Sequence, residues 1–308
     1  MRIVVTGGAG FIASHIVDSY IAKGHEVFVI DNLSSGQKAN LNPGAKLYSM
    51  DILDPKVPGV IGEIRPDVLN HHAAQMDVRR SVADPVFDAT TNILGFLNLL
   101  EAGRAAGLRK VIFASSGGAM YGEQEKYPAP EDHPTRPASP YGVSKLTGEN
   151  YLAYYHTTFG ISYIALRYAN VYGPRQNFKG EAGVIAIFID QLLSGQTPVI
   201  NGDGKQTRDF VYVGDVAAAN LLALENSFVG GINIGTGIET DLNSLYQKLA
   251  EQLKAKIAAV HGAAKEGEQR RSCLDAERAK KILGWTPKTT LDRGLGETIA
   301  YYRRARAS

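Results

Sequence analysis

The first half of the chain alternates short apolar runs, rich in β-branched residues, with longer stretches of helical period. The apolar runs predict strands at 2–5, 26–30, 46–50, 67–71, 110–114 and 162–167. The clearest helical stretches are 11–23, 85–106 and 139–158. Strands that are apolar almost throughout are typical of a parallel sheet covered by helices on both faces. The alternation therefore predicts an α/β fold with a Rossmann-type, doubly wound parallel sheet.

After about residue 170 this alternation loosens into polar, glycine-bearing loops and single helices. Helices are predicted at 184–194, 214–225 and 241–253, with two more toward the C-terminus. We expect a first domain over residues 1–170 and a smaller α/β domain over 171–308, with segments of 210–236 as candidates for return to the first domain. The smaller domain would cover the carboxyl edge of the sheet, where open α/β sheets bind ligands.

Bulk composition excludes several classes of function. The formal net charge of the 308-residue chain is +2, so neither nucleic acid nor an anionic membrane is expected as its main partner. No apolar run approaches the ~18–20 residues of a membrane span, and the N-terminus lacks the pattern of a signal peptide. Cys273 is the single cysteine. An internal disulfide and a thiolate metal cluster are therefore excluded, and the expected compartment is the reducing cytoplasm.

A glycine-rich turn follows the first predicted strand and opens the first predicted helix. Gly7, Gly10 and Ala13 have the spacing of a dinucleotide-binding loop, in which a pyrophosphate lies at the helix N-terminus. Asp31 ends the second predicted strand, where a carboxylate can accept hydrogen bonds from both ribose hydroxyls. Because Asp31 would repel a 2′-phosphate, the pattern predicts NAD rather than NADP.

A tyrosine and a lysine lie near the start of the predicted helix 139–158. Tyr141 and Lys145 are four residues apart and therefore share one face of that helix. Ser139 is a typical N-cap and Pro140 a typical first helical residue, so the helix entrance is well defined.

The residues around this helix entrance suggest proton transfer. A free tyrosine has a pKa of about 10, and a neighbouring ammonium together with a positive nicotinamide ring would lower the pKa of Tyr141 toward working pH. Ser115 and Ser116 end the strand that begins at residue 110. A serine at the sheet edge, a phenol and an ammonium would together form a donor, a base and a cation.

Nine segments of the chain, taken in order, resemble the extended short-chain dehydrogenase/reductases, and most closely the bacterial UDP-glucose (UDP-galactose) 4-epimerases. The segments are TGGAGFIAS, DNLSSG, HHAAQ, ASSGGAMYGE, SPYGVSK, LRYANVYGPRQ, GDGKQTRDFVYVGDVA, NIGTG and AKKILGWTPK. They extend over essentially the whole chain. The Tyr-x-x-x-Lys pair alone identifies only the superfamily, whereas the ordered set is far more specific.

The resemblance implies an NAD-dependent exchange of UDP-glucose and UDP-galactose through a 4-keto sugar. Tyr141 would be the catalytic base, Lys145 its tuner and a ribose ligand, and Ser116 the partner of the sugar 4-hydroxyl, with Ser115 as a substitute. No metal is implied. The positions that match the family's NAD contacts are Gly7, Gly10, Phe11, Ile12, Asp31, Asn32, Ser35, Gly36, Asp51, Ile52, Ala73, Ala74, Gln75, Asn92, Tyr141 and Lys145.

The resemblance also implies where the UDP-hexose binds. Asn170 and Arg208 match the family's diphosphate contacts, and Arg presents a fork suited to phosphate oxygens. A further phosphate position, which departs from the family pattern, falls to Lys265 or Arg270. Ser272 aligns near a position beside the sugar's C2 substituent, and its small size predicts that UDP-GlcNAc and UDP-GalNAc are also accepted.

Other readings remain open at this stage. A nucleotide-sugar dehydratase would need an acidic pair where Gly117 and Gly118 stand. A UDP-glucuronate 4-epimerase or another NAD-dependent nucleotide-sugar enzyme of this superfamily stays an alternative, with Arg79, Arg80 or Arg271 as partners for a carboxylate. A non-catalytic NAD-binding interaction protein is the reading from a different class, although such proteins usually lose the tyrosine or the lysine. Family members commonly dimerise through the helices that correspond to 85–106 and 139–158, so a homodimer is expected.

Overall fold

A computed structural model describes residues 1–178, 183–264 and 269–307. Its strands are β1 (Arg2–Thr6), β2 (Glu26–Asp31), β3 (Lys46–Ser49), β4 (Val68–His71), β5 (Lys110–Ser116), β6 (Ser162–Tyr168), β7 (Asn170–Tyr172), β8 (Val199–Asn201), β9 (Thr207–Tyr212), β10 (Gly230–Ile234), β11 (Glu239–Asp241), β12 (Val260–Gly262) and β13 (Arg271–Ser272). Its α-helices are α1 (Phe11–Ala22), α2 (Val57–Ile64), α3 (Val78–Ala83), α4 (Pro85–Ala89), α5 (Gly95–Ala105), α6 (Gly117–Tyr121), α7 (Pro140–Phe159), α8 (Val184–Leu193), α9 (Val213–Glu225), α10 (Leu242–Leu253), α11 (Glu277–Leu283) and α12 (Leu291–Ala307). A 3₁₀ turn spans Lys38–Asn40 and a π-helical turn spans Thr90–Leu94.

The large sheet is a seven-stranded parallel sheet with the order β3-β2-β1-β4-β5-β6-β10. The order reverses between β1 and β4, which places a ligand crevice at the carboxyl ends of these two strands. The predicted α/β, Rossmann-type sheet is thus confirmed, and each of its six predicted strands lies within one or two residues of its predicted bounds.

Helices cover both faces of the large sheet, which explains why its strands are apolar on both sides. On one face α1 and α9 pack over the sheet, with Tyr20 and Val216 among the fully buried side chains. On the other face α2, α5 and α7 pack together, with Phe96 and Leu152 buried between them and the sheet. The two layers fix the positions of the loops at the carboxyl edge.

A smaller sheet and three helices form the second part of the molecule. Strands β11, β9 and β13 are neighbours, and β7 pairs with β9. Helices α8, α10 and α12 pack around Tyr172 and Phe210, which are buried. Since only Ala169 separates β7 from β6, the small sheet starts directly beyond the carboxyl end of the large one.

One detail differs from the sequence-based expectation, and a second concerns the segments that it left open. The predicted helix 85–106 is divided into α4, the π-helical turn and α5. Within 210–236, α9 and β10 belong to the large sheet and its covering helices, whereas β9 lies in the small sheet. Within the three described ranges, the structure contains no helix with both the length and the apolar character needed to cross a membrane.

Candidate active site

The glycine-rich turn lies between β1 and α1 and presses against the end of β4. Gly7 has a φ of +68°, and a Cβ at this position would lie 2.8 Å from the backbone nitrogen of Ala73. Only glycine tolerates both the left-handed backbone and this contact. Helix α1 then begins at Phe11, and its N-cap Gly10 has no side chain to satisfy the first N–H groups. Those N–H groups and the positive end of the helix dipole are suited to a pyrophosphate.

The carboxylate of Asp31 at the end of β2 is held in place by backbone donors. Its Oδ2 accepts a hydrogen bond from Ala9 N at 2.9 Å and its Oδ1 accepts one from Leu33 N at 2.7 Å. A Cβ at Gly36 would lie 3.0 Å from Oδ2, so glycine lets the chain approach the carboxylate closely. Each carboxylate oxygen has two lone pairs, so the oriented Asp31 can still accept from ribose hydroxyls. Ser35 is exposed on the same loop.

Beside Asp31, a hydrogen-bonded pair defines the outer wall of the crevice. Asn32 Nδ2 donates to Asp51 Oδ2 at 2.7 Å. The other oxygen of this carboxylate, Asp51 Oδ1, accepts a hydrogen bond from the backbone N–H of Leu53 at 2.9 Å. Ile52 between these residues is buried. The structure therefore brings together Asp31, Asn32, Asp51 and Ile52, four of the residues predicted to contact NAD.

The segment after β4 is fixed by an amide clamp. Gln75 N donates to Asn92 Oδ1 at 2.9 Å, and Asn92 Nδ2 donates back to the carbonyl oxygen of Gln75 at 2.9 Å. Asn92 lies in the π-helical turn, so this turn carries the clamp. Ala73 and Ala74 precede the clamp at the crevice edge, and Ala73 N donates to Thr6 Oγ1 at 3.2 Å. The predicted contact residues of this segment thus lie at the switch point between β1 and β4.

Helix α7, which carries Tyr141 and Lys145, begins as its sequence predicts. Ser139 is the N-cap and accepts a hydrogen bond from Gly142 N at 3.2 Å, and Pro140 is the first helical residue. Lys145 Nζ lies 5.7 Å from the ring centroid of Tyr141 and donates to the carbonyl oxygen of Ala114 at 2.8 Å. An ammonium carries three N–H donors, and this contact uses one. The predicted pair is therefore together at the carboxyl edge of the large sheet.

The electrostatics of the pair differ from the sequence-based expectation. Burial raises the pKa of Tyr141 above its usual value, and the negative charge of Asp88 raises it further. Burial also lowers the pKa of Lys145 to about 8, although Asp88 opposes this shift. The protein's own groups thus disfavour the phenolate, because burial and the charge of Asp88 both raise the pKa of Tyr141.

The two serines at the end of β5 have different surroundings. Ser115 Oγ is buried and donates to Glu149 Oε1 at 2.7 Å, within an ion pair in which Arg167 Nη2 lies 2.8 Å from Glu149 Oε2. Ser116 is partly exposed and caps α6 by accepting from Ala119 N at 3.4 Å. Neighbouring residues of a strand point to opposite sides, so only one of the two can face the crevice. The geometry favours Ser116 for the predicted contact with the sugar.

Three of the residues predicted to bind the substrate lie on the small sheet. Arg208 on β9 lies in register with Ser272 on β13, and Asn170 on β7 pairs with Phe210 two positions further along β9. Ser272 is buried, and its Oγ lies 3.2 Å from the position that a Cβ of Gly118 would take. Gly118 lies in α6, two residues after Ser116, so the small sheet faces the start of α6.

The cationic side chains near this sheet already have partners. Arg270 is exposed and forms a two-pronged ion pair with Asp203, at 2.8 and 2.9 Å. This pair would have to open if Arg270 is to bind a phosphate. Lys265, the alternative to Arg270, lies outside the described residues. Arg208 Nη1 donates to the carbonyl oxygen of Thr207 at 2.8 Å.

One buried carboxylate at the site was not predicted from the sequence. Asp88 is completely buried, and its Oδ2 accepts from Ser144 Oγ on α7 at 2.6 Å. Its Oδ1 accepts from Gln75 Nε2 at 3.1 Å and from Asn92 Nδ2 at 3.0 Å. The sequence carries no local signal for this role, because Asp88 stands among polar residues in VFDATTN and its burial becomes visible only in the fold.

Together, the parallel sheet, the cradle at Gly7, the oriented Asp31 and the Tyr141–Lys145 pair define an extended short-chain dehydrogenase/reductase. Comparison with known proteins narrows this class. Residues 3–235 match the family model described as the NAD dependent epimerase/dehydratase family, and the chain belongs to that family. The cradle and the carboxylate described above fit the cofactor that the family's name states.

Individual relatives narrow the class further. The chain is 44% identical over 311 residues to a UDP-glucose 4-epimerase of Mycolicibacterium smegmatis, covering 98% of this chain and 99% of the relative. Its fold is similar to that of a UDP-glucose 4-epimerase from Thermotoga maritima solved with UDP-glucose, with 47% identity, a TM-score of 0.98, and 99% and 100% of the two chains covered. It is also similar to a UDP-glucose 4-epimerase of Thermus thermophilus solved with NAD, with 43% identity, a TM-score of 0.95, and 99% and 100% covered.

Proposed function

We propose that the protein is an NAD-dependent UDP-glucose 4-epimerase, an isomerase that exchanges UDP-glucose and UDP-galactose. The observation that carries this proposal is the position of Tyr141 and Lys145 between two groups of residues. The Gly7–Asp31 crevice on one side fits NAD, and the small sheet with Arg208 on the other side offers a fork for a diphosphate. We accordingly assign NAD binding to residues 1–170 with the later strand β10 and helix α9, and nucleotide-sugar binding to the remainder of 171–308.

The residues of the chain would act as follows. Tyr141 takes the proton of the sugar 4-hydroxyl, and Ser116 holds that hydroxyl by a hydrogen bond. NAD, when bound, supplies the acceptor and the donor of the C4 hydride. Arg208 and Asn170 hold the diphosphate, so that the 4-keto sugar can turn over and expose the other face of C4, while Tyr141 returns the proton to the 4-oxygen. Because the binding contacts are on UDP, the sugar itself is left free to turn.

The experiment that tests this proposal is a turnover assay without added NAD. UDP-glucose, UDP-N-acetylglucosamine and UDP-glucuronate are supplied separately to the purified protein, and the anomeric protons are followed by NMR. The signal of UDP-galactose should appear from UDP-glucose, since bound NAD ends each cycle unchanged. If no UDP-galactose forms even after NAD is supplied, the proposed activity is wrong.

A wider substrate range is a second proposal, supported by the wall of the sugar site. Ser272 and Gly118 are small, and Gln269 Nε2 donates to the carbonyl oxygen of Gly122 at 2.5 Å, with its Oε1 4.0 Å from the position that a Cβ of Gly118 would take. A site with these side chains leaves room for an N-acetyl group at C2. Ser272→Tyr should therefore abolish turnover of UDP-GlcNAc and UDP-GalNAc but spare UDP-glucose and UDP-galactose, because a steric gate acts by exclusion. Values of kcat/KM for both pairs decide this, and a wild type inactive on UDP-GlcNAc would contradict the gate.

Action on UDP-glucuronate has less support. Arg271 is ion-paired with Glu239 at 2.5 Å and stacks over the ring of Tyr127 at 3.7 Å. Arg80 lies over the ring of Phe87 at 3.9 Å. Two of the three arginines considered for a sugar carboxylate are thus engaged elsewhere. The presence of both Tyr141 and Lys145 likewise argues against a non-catalytic role.

We also propose that the protein forms a homodimer in the cytoplasm. Exposed apolar side chains lie on α4, the π-helical turn and α7, including Val86 at 73%, Leu94 at 55% and Tyr154 at 51% exposure. A second copy packed on this face would bury them. Sedimentation analysis should therefore show a dimer that Val86→Asp weakens, and a monomeric wild type would contradict the proposal.

A further inference from the structure

The carboxylate of Asp88 joins three separate elements at the active site. It lies on α4 and accepts from Gln75 in the segment after β4, from Asn92 in the π-helical turn, and from Ser144 on the catalytic helix. Two of these partners belong to the amide clamp at the cofactor crevice. The third partner directly precedes Lys145 in the chain.

The charge of Asp88 acts on both members of the catalytic pair. The negative charge of Asp88 acts to raise the pKa of both Tyr141 and Lys145; for Tyr141 it adds to the effect of burial, whereas for Lys145 burial outweighs it. The other titratable groups around Lys145 are His71 and His72 on β4. Burial lowers the pKa of both, to about 3 for His72, so they stay neutral at working pH. Asp88 is therefore the counter-charge of Lys145 within the described part of this pocket.

A fully buried carboxylate is costly unless it is paired and hydrogen-bonded. A structural role alone would be served by a neutral amide, since Asn at this place could accept from Gln75 and Asn92 and donate to Ser144. The carboxylate is thus explained by its charge as well as by its hydrogen bonds.

We propose that Asp88 is a positioning residue for the catalytic pair, which ties the catalytic helix to the cofactor crevice and supplies the negative charge that keeps Lys145 an ammonium. This inference rests on the proposed function for its kinetic consequence, but not for its electrostatic one. It assigns to Asp88 no contact with substrate or cofactor.

Two kinds of variant distinguish the effect of the charge of Asp88 from the effect of its hydrogen bond to Ser144 on α7. Asp88→Asn keeps the shape and removes the charge, so both limbs of the pH profile of kcat/KM should move to lower pH, by about one unit, because each neighbouring pKa falls. Asp88→Glu retains the charge and should restore the wild-type pH profile, even if kcat falls. Ser144→Ala breaks the tie to α7 and should lower kcat about 10-fold or more without moving the profile, since small misplacements of reacting groups are costly.

Asp84→Asn is the matched control on the same helix. Asp84 is exposed, and it caps α4 by accepting from Phe87 N at 2.9 Å. Asn is an equally good N-cap, so this variant removes a charge from α4 without touching the pair. Its kcat, KM and pH profile should be those of the wild type. The proposal is overturned if Asp88→Asn has the same pH profile of kcat/KM as the control and a kcat within threefold of it.

Urea unfolding measures the same charge coupling without any turnover. At pH 7 Lys145 is charged and Asp88 is its counter-charge, whereas at pH 9 most of Lys145 has lost its proton because its pKa is about 8. Asp88→Asn should therefore destabilise the protein more at pH 7 than at pH 9, and Asp84→Asn equally at both.

A wild type inactive on UDP-glucose would refute the proposed function alone. An equal loss of stability for Asp88→Asn at both pH values would refute the role of its charge. Should Asp88→Asn not fold, Asp88→Glu and Ser144→Ala carry the test through kcat and the pH profile.

Discussion

Replacing Gly7 by alanine should expel the cofactor and destabilise the fold by two separable amounts. A left-handed backbone costs an L-residue about 1–2 kcal/mol, and Gly7 has a φ of +68°. The added Cβ would lie 2.8 Å from Ala73 N, and this nitrogen donates to Thr6 Oγ1. Overlap with fixed backbone costs about 1–3 kcal/mol more. The expected total loss in the free energy of unfolding is thus about 2–5 kcal/mol.

Gly160→Ala is the control for the backbone conformation alone. Gly160 ends α7 with a φ of +72°, and a Cβ there would meet nothing within 4 Å. Its variant should lose only about 1–2 kcal/mol and keep its cofactor. Urea unfolding gives the stabilities, and acid release followed by chromatography gives the NAD content per chain. If Gly7→Ala retains NAD and is no less stable than Gly160→Ala, the close approach of the turn to Ala73 does not have the role given to it.

Four further changes are predicted from single contacts. Tyr141→Phe should lower kcat by about 10²–10⁴, the range for a lost general base, with UDP affinity unchanged; near-normal turnover in steady-state kinetics would contradict its role. Asp31→Ala should reduce the NAD content of the purified protein, and NADP in the acid extract of the wild type would show that Asp31 was misread. Lys110→Met should cost about 1–3 kcal/mol in urea unfolding, because Lys110 Nζ donates to the carbonyl oxygens of Ala223 and Leu224 at the end of α9; an unchanged midpoint would refute this. Glu149→Gln should cost about 3–5 kcal/mol by leaving a buried guanidinium without its counter-charge, and a loss below 1 kcal/mol, as for an exposed pair, would count against it.

The large sheet was predictable because its strands and helices carry local signals. Periodicity located the strands, and Ser139 and Pro140 located the start of the catalytic helix to the residue. The division of the helix 85–106 was not predictable, because its π-helical turn serves a contact between Asn92 and Gln75 that is distant in sequence. A local sequence pattern does not show which distant residue a side chain will contact.

The same limit applies to the chemistry of the site. Tyr141 and Lys145 were found through their spacing, whereas Asp88 is 56 residues from its partner Ser144 and resembles any helical carboxylate. The burial that raises the pKa of Tyr141 in the chain without NAD was not predictable, since sequence shows neighbouring charges along a helix but not the extent of burial.

The late position of β10 in the chain constrains how the protein can be made. This strand pairs with β6, from Gly230 with Ile164 to Ile234 with Tyr168, and α9 covers the α1 face of the sheet. Because synthesis runs from the N-terminus, residue 234 must leave the ribosome before β10 can pair with β6 along its whole length. Helix α9 likewise has to be synthesised before it can cover the apolar α1 face of the sheet. A nascent chain that stops at residue 170 holds every predicted NAD contact but exposes an unpaired strand, which invites aggregation. The sheet that carries the predicted NAD contacts is thus complete only after β9 of the small sheet has also been synthesised.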